Sequence, residues 1–179
     1  MGNISVKITS GNTGGRPAWG AVYWQYFEDL DKITGAASPL SISKKLFVQK
    51  NTDRGPVLEP LDKNNTLHIG DRIKVRIEIR SDRSLEYVHL KDMRASAFEP
   101  VNVISSYKWS AGLGYYESTK DVSSNFFFSY LPKGVHIFEY DLFATHTGIF
   151  SGGISTIQCM YAPEFSSHTE GIKVNVVNK

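Results

Sequence analysis

The chain has 179 residues, of which 41% are hydrophobic and 21% are charged, and its formal net charge is +2. This length corresponds to one domain with at most a short appendage, and the composition excludes wholesale disorder. The basic residues are scattered, whereas a nucleic-acid-binding protein concentrates them on one face. A single cysteine excludes an internal disulfide bond and a cysteine-based zinc site. The sequence shows no signal peptide, and no apolar stretch reaches the roughly 20 residues of a membrane-spanning helix.

The N-terminal part shows strand patterns followed by a break. Ile4, Val6 and Ile8 alternate with polar residues, which predicts a strand with one solvated face. The aromatic-rich segment 19–27 favours another strand. Charged and small residues then predict a linker or hinge over 28–39. Residues 1–27 are therefore expected to be either extra strands of the main domain or the end of a preceding module.

The main domain is expected to begin at Leu40, with a strand over 40–49 and a polar connection over 51–65. The clearest strand follows, in which four β-branched residues alternate with charged ones: Ile73, Val75, Ile77 and Ile79. This strict alternation excludes a helix. A polar turn at 81–84 and a returning segment at 85–91 predict an antiparallel hairpin over 72–91.

The C-terminal half repeats this pattern. Strands are predicted over 125–131, 135–144, 154–160 and 172–176, and turns over 132–134 and 148–153. The pattern of segment 95–117 does not clearly favour strands, and a loop is predicted at 110–114. Nine or ten short strands without an amphipathic helix predict an all-β fold, an antiparallel β-sandwich over 40–179. At most one or two short helical turns are expected, near 29–33 and 61–66.

Patterns that indicate catalysis or metal binding are weak. The five histidines lack the spacing that places two ligands on one face of a strand or helix. Ser41 and Lys44 match a Ser-x-x-Lys motif, and so do Ser105 and Lys108, but residues i and i+3 of a strand point to opposite faces. We therefore expect no enzymatic activity, no cofactor and no metal.

Cys159 is the remaining candidate nucleophile. It follows Ile157 and Gln158 in an alternating strand, which predicts a buried, inert thiol. An internal thioester requires a glutamine three residues after the cysteine, and Ala162 occupies that position. Cys159 is therefore not expected to form a thioester.

Aromatic residues are unusually clustered. The consecutive Phe126, Phe127 and Phe128 must direct at least one ring away from the core, because only alternate strand residues face it. We expect core rings together with an exposed surface for another domain. The alternative is a carbohydrate-binding module that uses Trp109, Tyr115 and Tyr116 as a stacking platform.

Taken in order, several stretches resemble the C-terminal domain of bacterial α2-macroglobulin-like proteins, the last macroglobulin-like domain and the counterpart of the animal receptor-binding domain. They include WGAVYWQYF (19–27), GDRIKV (70–75), EYVHLKD (86–92), FEP (98–100), GLGYY (112–116), NFFF (125–128), LPKG (131–134) and MYAPEF (160–165). The resemblance covers about 150 positions and implies a macroglobulin-like, immunoglobulin-like sandwich. It also implies that residues 1–27 end a CUB-like module.

The resemblance implies a function as well. Such proteins are periplasmic or lipid-anchored protease traps, many of which hold a reactive thioester. Their last domain docks on the thioester-bearing domain and supplies a tyrosine that shields the thioester from water. The Met-Tyr-x-Pro motif makes Tyr161, next to Met160, the candidate here. Tyr115, Tyr116 and Phe127 are expected on an aromatic contact surface. Expected partners are other domains of the parent polypeptide and target proteases, with no nucleic acid and no membrane contact by this domain.

Overall fold

The computed structural model describes residues 5, 23, 25–62, 66–110 and 112–179. Within these residues the chain forms fourteen strands and no helix. The strands are β1 (Leu40–Thr52), β2 (Gly55–Pro60), β3 (Thr66–His68), β4 (Arg72–Ser81), β5 (Leu85–Met93), β6 (Phe98–Pro100), β7 (Ser106–Ser110), β8 (Leu113–Thr119), β9 (Ser123–Leu131), β10 (Gly134–Ala144), β11 (Gly148–Ser151), β12 (Ser155–Cys159), β13 (Ala162–His168) and β14 (Lys173–Val177). No helix long and apolar enough to cross a membrane occurs in this described part.

Two large antiparallel sheets form the sandwich. The first has five strands in the order β2-β1-β4-β10-β6, and the second has six in the order β13-β12-β5-β9-β8-β7. A small third sheet, β11-β14-β3, contains the parallel pair β14 and β3. The predicted all-β sandwich is confirmed.

The core lies between the two large sheets. On β4 the side chains of Ile73, Val75, Ile77 and Ile79 are fully buried, as the alternation predicts. Phe126 on β9 meets Phe138 on β10 across the interior, with ring centroids 5.0 Å apart. Each buried aliphatic or aromatic side chain contributes about 1.5–3 kcal/mol through removal from water. This shared core fixes which residues of each sheet face outward.

The predicted hairpin over 72–91 is wrong. Strand β4 pairs with β1 and β10, whereas β5 pairs with β12 and β9, so the turn at 81–84 connects the two sheets. Each of the two strands has one apolar face. That face is buried equally well when the strands lie in opposite sheets of the sandwich and when they pair side by side in one sheet. Alternation predicts which side chains of a strand face the core, but it does not predict which strands pair with it.

Two predicted connections contain strands. Within 51–65, β2 pairs antiparallel with the end of β1, and within 148–153, β11 pairs with β14. The expected helical turn near 29–33 is a hydrogen-bonded turn in which Lys32 N donates to Asp29 O at 2.9 Å. Residues 63–65 and the predicted strand at Ile4 to Ile8, apart from Ser5, lie outside the described residues.

The segment predicted as a linker lies against the end of β13. Ala36 forms a bridge with His168, and Gly171 N donates to Ile33 O at 2.8 Å. A Cβ atom at Gly171 would collide with the backbone of Leu30 and Asp31, so this approach requires glycine. The domain boundary at 28–39 stays a prediction.

Candidate functional site

Met160 and Tyr161 form the turn between β12 and β13 and project from one end of the sandwich. Met160 is 58% exposed and Tyr161 is 80% exposed. Met160 N donates to Tyr87 O at 2.9 Å, which ties the turn to the neighbouring strand β5. A large ring held at the tip of a fixed turn is available to a second molecular surface.

Tyr87 supports this turn. It is the one described non-glycine residue with a positive φ, at 54°, a conformation that costs an L-residue about 1–2 kcal/mol. Glu86 pairs with Tyr130 and Val88 with Phe128, so the register with β9 is unchanged across Tyr87, and the positive φ is a local twist of the strand without an inserted residue. This twist leaves Leu85 and Val88 both buried although they are three residues apart. Tyr87 itself is left half-exposed at the tip.

The rings of Tyr87 and Tyr161 meet edge to face, with centroids 5.2 Å apart and planes at 86°. This arrangement is one that aromatic pairs favour. We call Tyr87, Met160 and Tyr161 the tip cluster. Sequence reasoning missed Tyr87, although the three-residue spacing between the apolar Leu85 and Val88 was a signal of an irregular strand.

A second exposed group lies on the outer surface of the six-stranded sheet. Successive pairings Tyr107–Tyr116, Tyr116–Phe127 and Phe127–His89 place four rings in one row across β7, β8, β9 and β5. His89 stacks on Phe127 with centroids 4.6 Å apart, and Tyr107 meets Tyr116 at 5.4 Å. We call this row, together with Trp109, the aromatic face.

Trp109 extends the aromatic face along β7. Its side chain is 80% exposed and that of Tyr107 is 76% exposed, whereas Tyr116 and Phe127 are between 36% and 38%. The indole ring lies over Gly114, where any Cβ atom would clash with it. The exposed position expected for Tyr116 and Phe127 therefore agrees with the structure, and Tyr107 and Trp109 enlarge the surface.

Tyr115 does not belong to this surface, and that part of the prediction is wrong. Its side chain is 5% exposed and its ring lies within 6 Å of three phenylalanines of the core, Phe126, Phe128 and Phe138. Burial raises the pKa of its hydroxyl, and the Glu117 carboxylate adds to this effect. Neighbouring strand residues face opposite sides, so Tyr115 and Tyr116 cannot share a surface. The predicted platform of Trp109, Tyr115 and Tyr116 is not formed.

The motifs considered for catalysis are separated or buried. The Lys44 side chain is 2% exposed and points inward, where it contacts Asp92 and not Ser41. Cys159 is 5% exposed, and its thiol lies 3.2 Å from the Glu86 carbonyl oxygen. Within the described ranges, no three residues among His, Cys, Asp and Glu form a group that could hold a metal ion.

Comparison with known proteins identifies the fold. A family model, the bacterial α2-macroglobulin MG10 domain, matches residues 40–164. Salmonella α2-macroglobulin reacted with methylamine is 13% identical and superimposes with a TM-score of 0.64, over 82% of this chain and 10% of that one. Escherichia coli α2-macroglobulin activated by porcine elastase is 14% identical, with a TM-score of 0.65, over 80% of this chain and 14% of that one.

The trypsin-activated form of the Escherichia coli protein gives a similar result, 14% identity and a TM-score of 0.62 over 80% of this chain and 11% of that one. The search of curated proteins gave no match. The chain thus spans about a tenth of the length of these structural relatives. Because the family model matches more than half of the sequence, the chain belongs to the family of bacterial α2-macroglobulin MG10 domains.

Proposed function

We propose that the chain is the non-catalytic C-terminal domain of a protease-trapping inhibitor, and that it docks through its tip cluster on a thioester-type domain of the same polypeptide. The observation that carries this proposal is the 80% exposed ring of Tyr161, fixed on a tight turn and supported by Tyr87. The parent protein would trap proteases, and the domain would take part in its change of conformation.

The chemistry of a thioester explains why such a cluster would be useful. A thioester persists only where apolar groups keep water away from its carbonyl carbon. A tyrosine offers a large apolar ring, and its hydroxyl can anchor the ring by a hydrogen bond. Met160 adds a flexible apolar side chain that adapts to an irregular partner surface. Because Tyr87 already orients Tyr161, little side-chain freedom would be lost on docking.

The aromatic face is suited to a second contact within the parent polypeptide. Trp and Tyr are enriched at protein interfaces, where they bury much area at a small cost in conformational entropy. A row of rings on a regular sheet is also rigid. We infer that this face packs against a neighbouring domain in at least one conformation of the parent, which would be located in the periplasm or cell envelope.

The experiment compares Tyr161→Gly with Tyr161→Phe in the parent polypeptide. Methylamine attacks accessible thioesters, and the released thiol is measured over time. We expect the glycine variant to release its thiol about tenfold faster or more, while the phenylalanine variant keeps most of the protection. Tyr26→Gly is the matched control, because Tyr26 is a similarly exposed tyrosine that belongs to neither the tip cluster nor the aromatic face. An unchanged rate in Tyr161→Gly, or no thiol released by the parent, would contradict the proposal.

A carbohydrate-binding role is the second candidate, favoured by the co-facial position of Tyr107, Trp109 and Tyr116. Sugar rings stack on such side chains, and Trp109 is the most exposed of the three. Titration of the chain with soluble glycans, followed by tryptophan fluorescence, separates the candidates. A saturable change that Trp109→Ser abolishes would support a carbohydrate site, and no change would leave domain docking as the role of this face.

A further inference from the structure

A lysine and an aspartate meet in the interior of the sandwich. Lys44 lies on β1 of the five-stranded sheet and Asp92 on β5 of the six-stranded sheet. Lys44 Nζ lies 2.7 Å from Asp92 Oδ1, and the two side chains are 2% and 0% exposed. The pair therefore joins the two sheets across the core, between residues 48 positions apart.

Hydroxyl groups hold the carboxylate of Asp92 in place. Ser155 Oγ donates to Oδ1 at 2.6 Å, and the Tyr140 hydroxyl donates to Oδ2. Lys44 Nζ also donates to the carbonyl oxygen of Met93 at 2.7 Å. The amine is thus positioned beside the carboxyl carbon, and donors occupy both carboxyl oxygens.

We propose that Lys44 and Asp92 condense to form an intramolecular isopeptide bond between Lys44 Nζ and Asp92 Cγ. The ammonium first transfers a proton to the carboxylate, which leaves a neutral amine and a carboxylic acid. The amine attacks Cγ and forms the C–N bond of a tetrahedral intermediate, which then collapses as the C–Oδ1 bond breaks. A second proton from the nitrogen completes the water molecule that leaves, so the reaction needs no co-reactant.

The surrounding groups favour this step. The Tyr140 hydroxyl can stabilise the negative charge that develops on Oδ2 in the tetrahedral intermediate. Burial, together with the nearby Asp92 carboxylate, raises the pKa of Tyr140 well above its usual value, so the hydroxyl stays protonated and remains a donor.

The product is better suited to the interior than the reactants. An ion pair in a sandwich core loses its hydration, and this penalty can exceed the attraction between the charges. Condensation removes both charges and leaves one amide. The amide N–H can keep the contact with Met93 O, and its carbonyl oxygen can keep the contact with Tyr140. The existing partners therefore satisfy both polar groups of the new bond.

Proximity alone does not produce such a bond, and the chain contains a matched control. Lys32 Nζ lies 2.7 Å from Asp29 Oδ2, the same separation, but these side chains are 65% and 68% exposed. Water solvates both charges there, and no hydroxyl donor holds the carboxylate within the described contacts. We expect Lys44 to be linked and Lys32 to be free in the same protein molecule.

Intact-mass measurement of the folded 179-residue chain tests the proposal. We expect a mass lower than that of the sequence by one water molecule, and a branched peptide joining the segments around Lys44 and Asp92 after digestion. Lys44→Arg should have its full sequence mass. Asp92→Asn should lose ammonia and reach the same final mass as the linked wild type, and Tyr140→Phe should form the bond more slowly.

The wild-type result decides by itself, even if a variant fails to fold. Full sequence mass in folded wild-type protein after prolonged incubation would overturn the proposal and leave an ion pair only. A loss of water that maps to any other pair, including Lys32 and Asp29, would overturn it as well. Neither result bears on docking by the tip cluster, which involves different residues.

Discussion

The two outer surfaces of the sandwich differ sharply in chemistry. On the five-stranded sheet, basic residues of β4 pair with acidic residues of β10. Arg72 Nη2 lies 2.6 Å from Asp141 Oδ2, and Lys74 Nζ lies 2.8 Å from Asp141 Oδ1. Arg76 Nε lies 2.6 Å from Glu139 Oε1. The six-stranded sheet carries the aromatic face instead, with its row of rings and the exposed Trp109.

This difference indicates which surface depends more on another molecule, although Val135, Ile137 and Phe143 of β10 are also exposed on the five-stranded sheet. Charges on the first sheet are neutralised by cross-strand neighbours, an arrangement that stabilises the sheet and discourages contact with a partner. Rings on the second sheet keep a large apolar area in contact with water, which is typical of a surface that another molecule covers. The first surface should therefore affect stability, and the second should affect association.

The largest effect should come from the interior that both sheets share. Ile77→Ala removes a fully buried side chain and should lower the free energy of unfolding by about 2–5 kcal/mol. Its neighbour Arg76 on the outer surface pairs with Glu139 and lies over the Phe47 ring. Arg76→Ala should cost at most about 1 kcal/mol. Urea denaturation measures both values, and equal losses would contradict the assignment of the two faces of β4.

The charged surface predicts a dependence on pH. Burial raises the pKa of Asp141, but the hydrogen bonds and charges of Lys74 and Arg72 outweigh burial and lower it overall. The resulting stability is present above the unfolded-state pKa of 3.8 and is lost as the pH falls through the lower folded-state pKa. Asp141→Asn should cost about 1 kcal/mol at neutral pH, and this difference should disappear in strong acid.

Asp82 provides the control for this measurement. Its pKa is also lowered, chiefly by a hydrogen bond from Arg83, but the group is fully exposed. Asp82→Asn should give no measurable change in stability at any pH. If Asp141→Asn and Asp82→Asn changed the free energy of unfolding equally in urea denaturation, cross-strand pairing of Asp141 would not stabilise the charged surface.

The charged surface and the core beneath it were largely predictable from sequence. Strict alternation along β4 predicts that its four apolar residues face the core and that the charged residues between them face solvent. The structure agrees for Ile73, Val75, Ile77 and Ile79. Strand partners were not predictable in this way. The pairing of β4 with β10 joins residues about 60 positions apart in the chain, and a local pattern contains no information about such a distance.

The aromatic face and the tip cluster were predictable only in part. The clustering of aromatic residues in the sequence indicated that some rings would be exposed. The rings of Tyr116, Phe127 and Tyr161 are exposed. Tyr115 was misplaced because segment 95–117 showed no clear alternation to fix its face. Tyr87 was missed because its exposure depends on a left-handed backbone conformation, which the sequence alone does not reveal.

The backbone conformation of Tyr87 makes a prediction. Tyr87→Ala and Tyr87→Gly both remove the ring that contacts Tyr161, but only glycine adopts the φ of 54° without strain. The glycine variant should therefore be more stable than the alanine variant by about 0.5–1 kcal/mol. In a regular strand the order is reversed, because glycine costs more conformational entropy. Thermal denaturation of both variants checks the sign, and an alanine variant that is the more stable would refute the left-handed conformation of Tyr87.

The smallest effect on stability should come from the aromatic face itself. Tyr107→Ser together with Trp109→Ser replaces two side chains that are 76% and 80% exposed, so the free energy of unfolding should change by about 0.5 kcal/mol or less. Association with the other domains of the proposed parent polypeptide, supplied as a separate fragment, should weaken by at least about tenfold, since exposed Trp and Tyr dominate many interfaces. Titration calorimetry measures the association and urea denaturation the stability. A large loss of stability with unchanged association would mean that this face completes the core, and the contrast between the two outer surfaces would then fail.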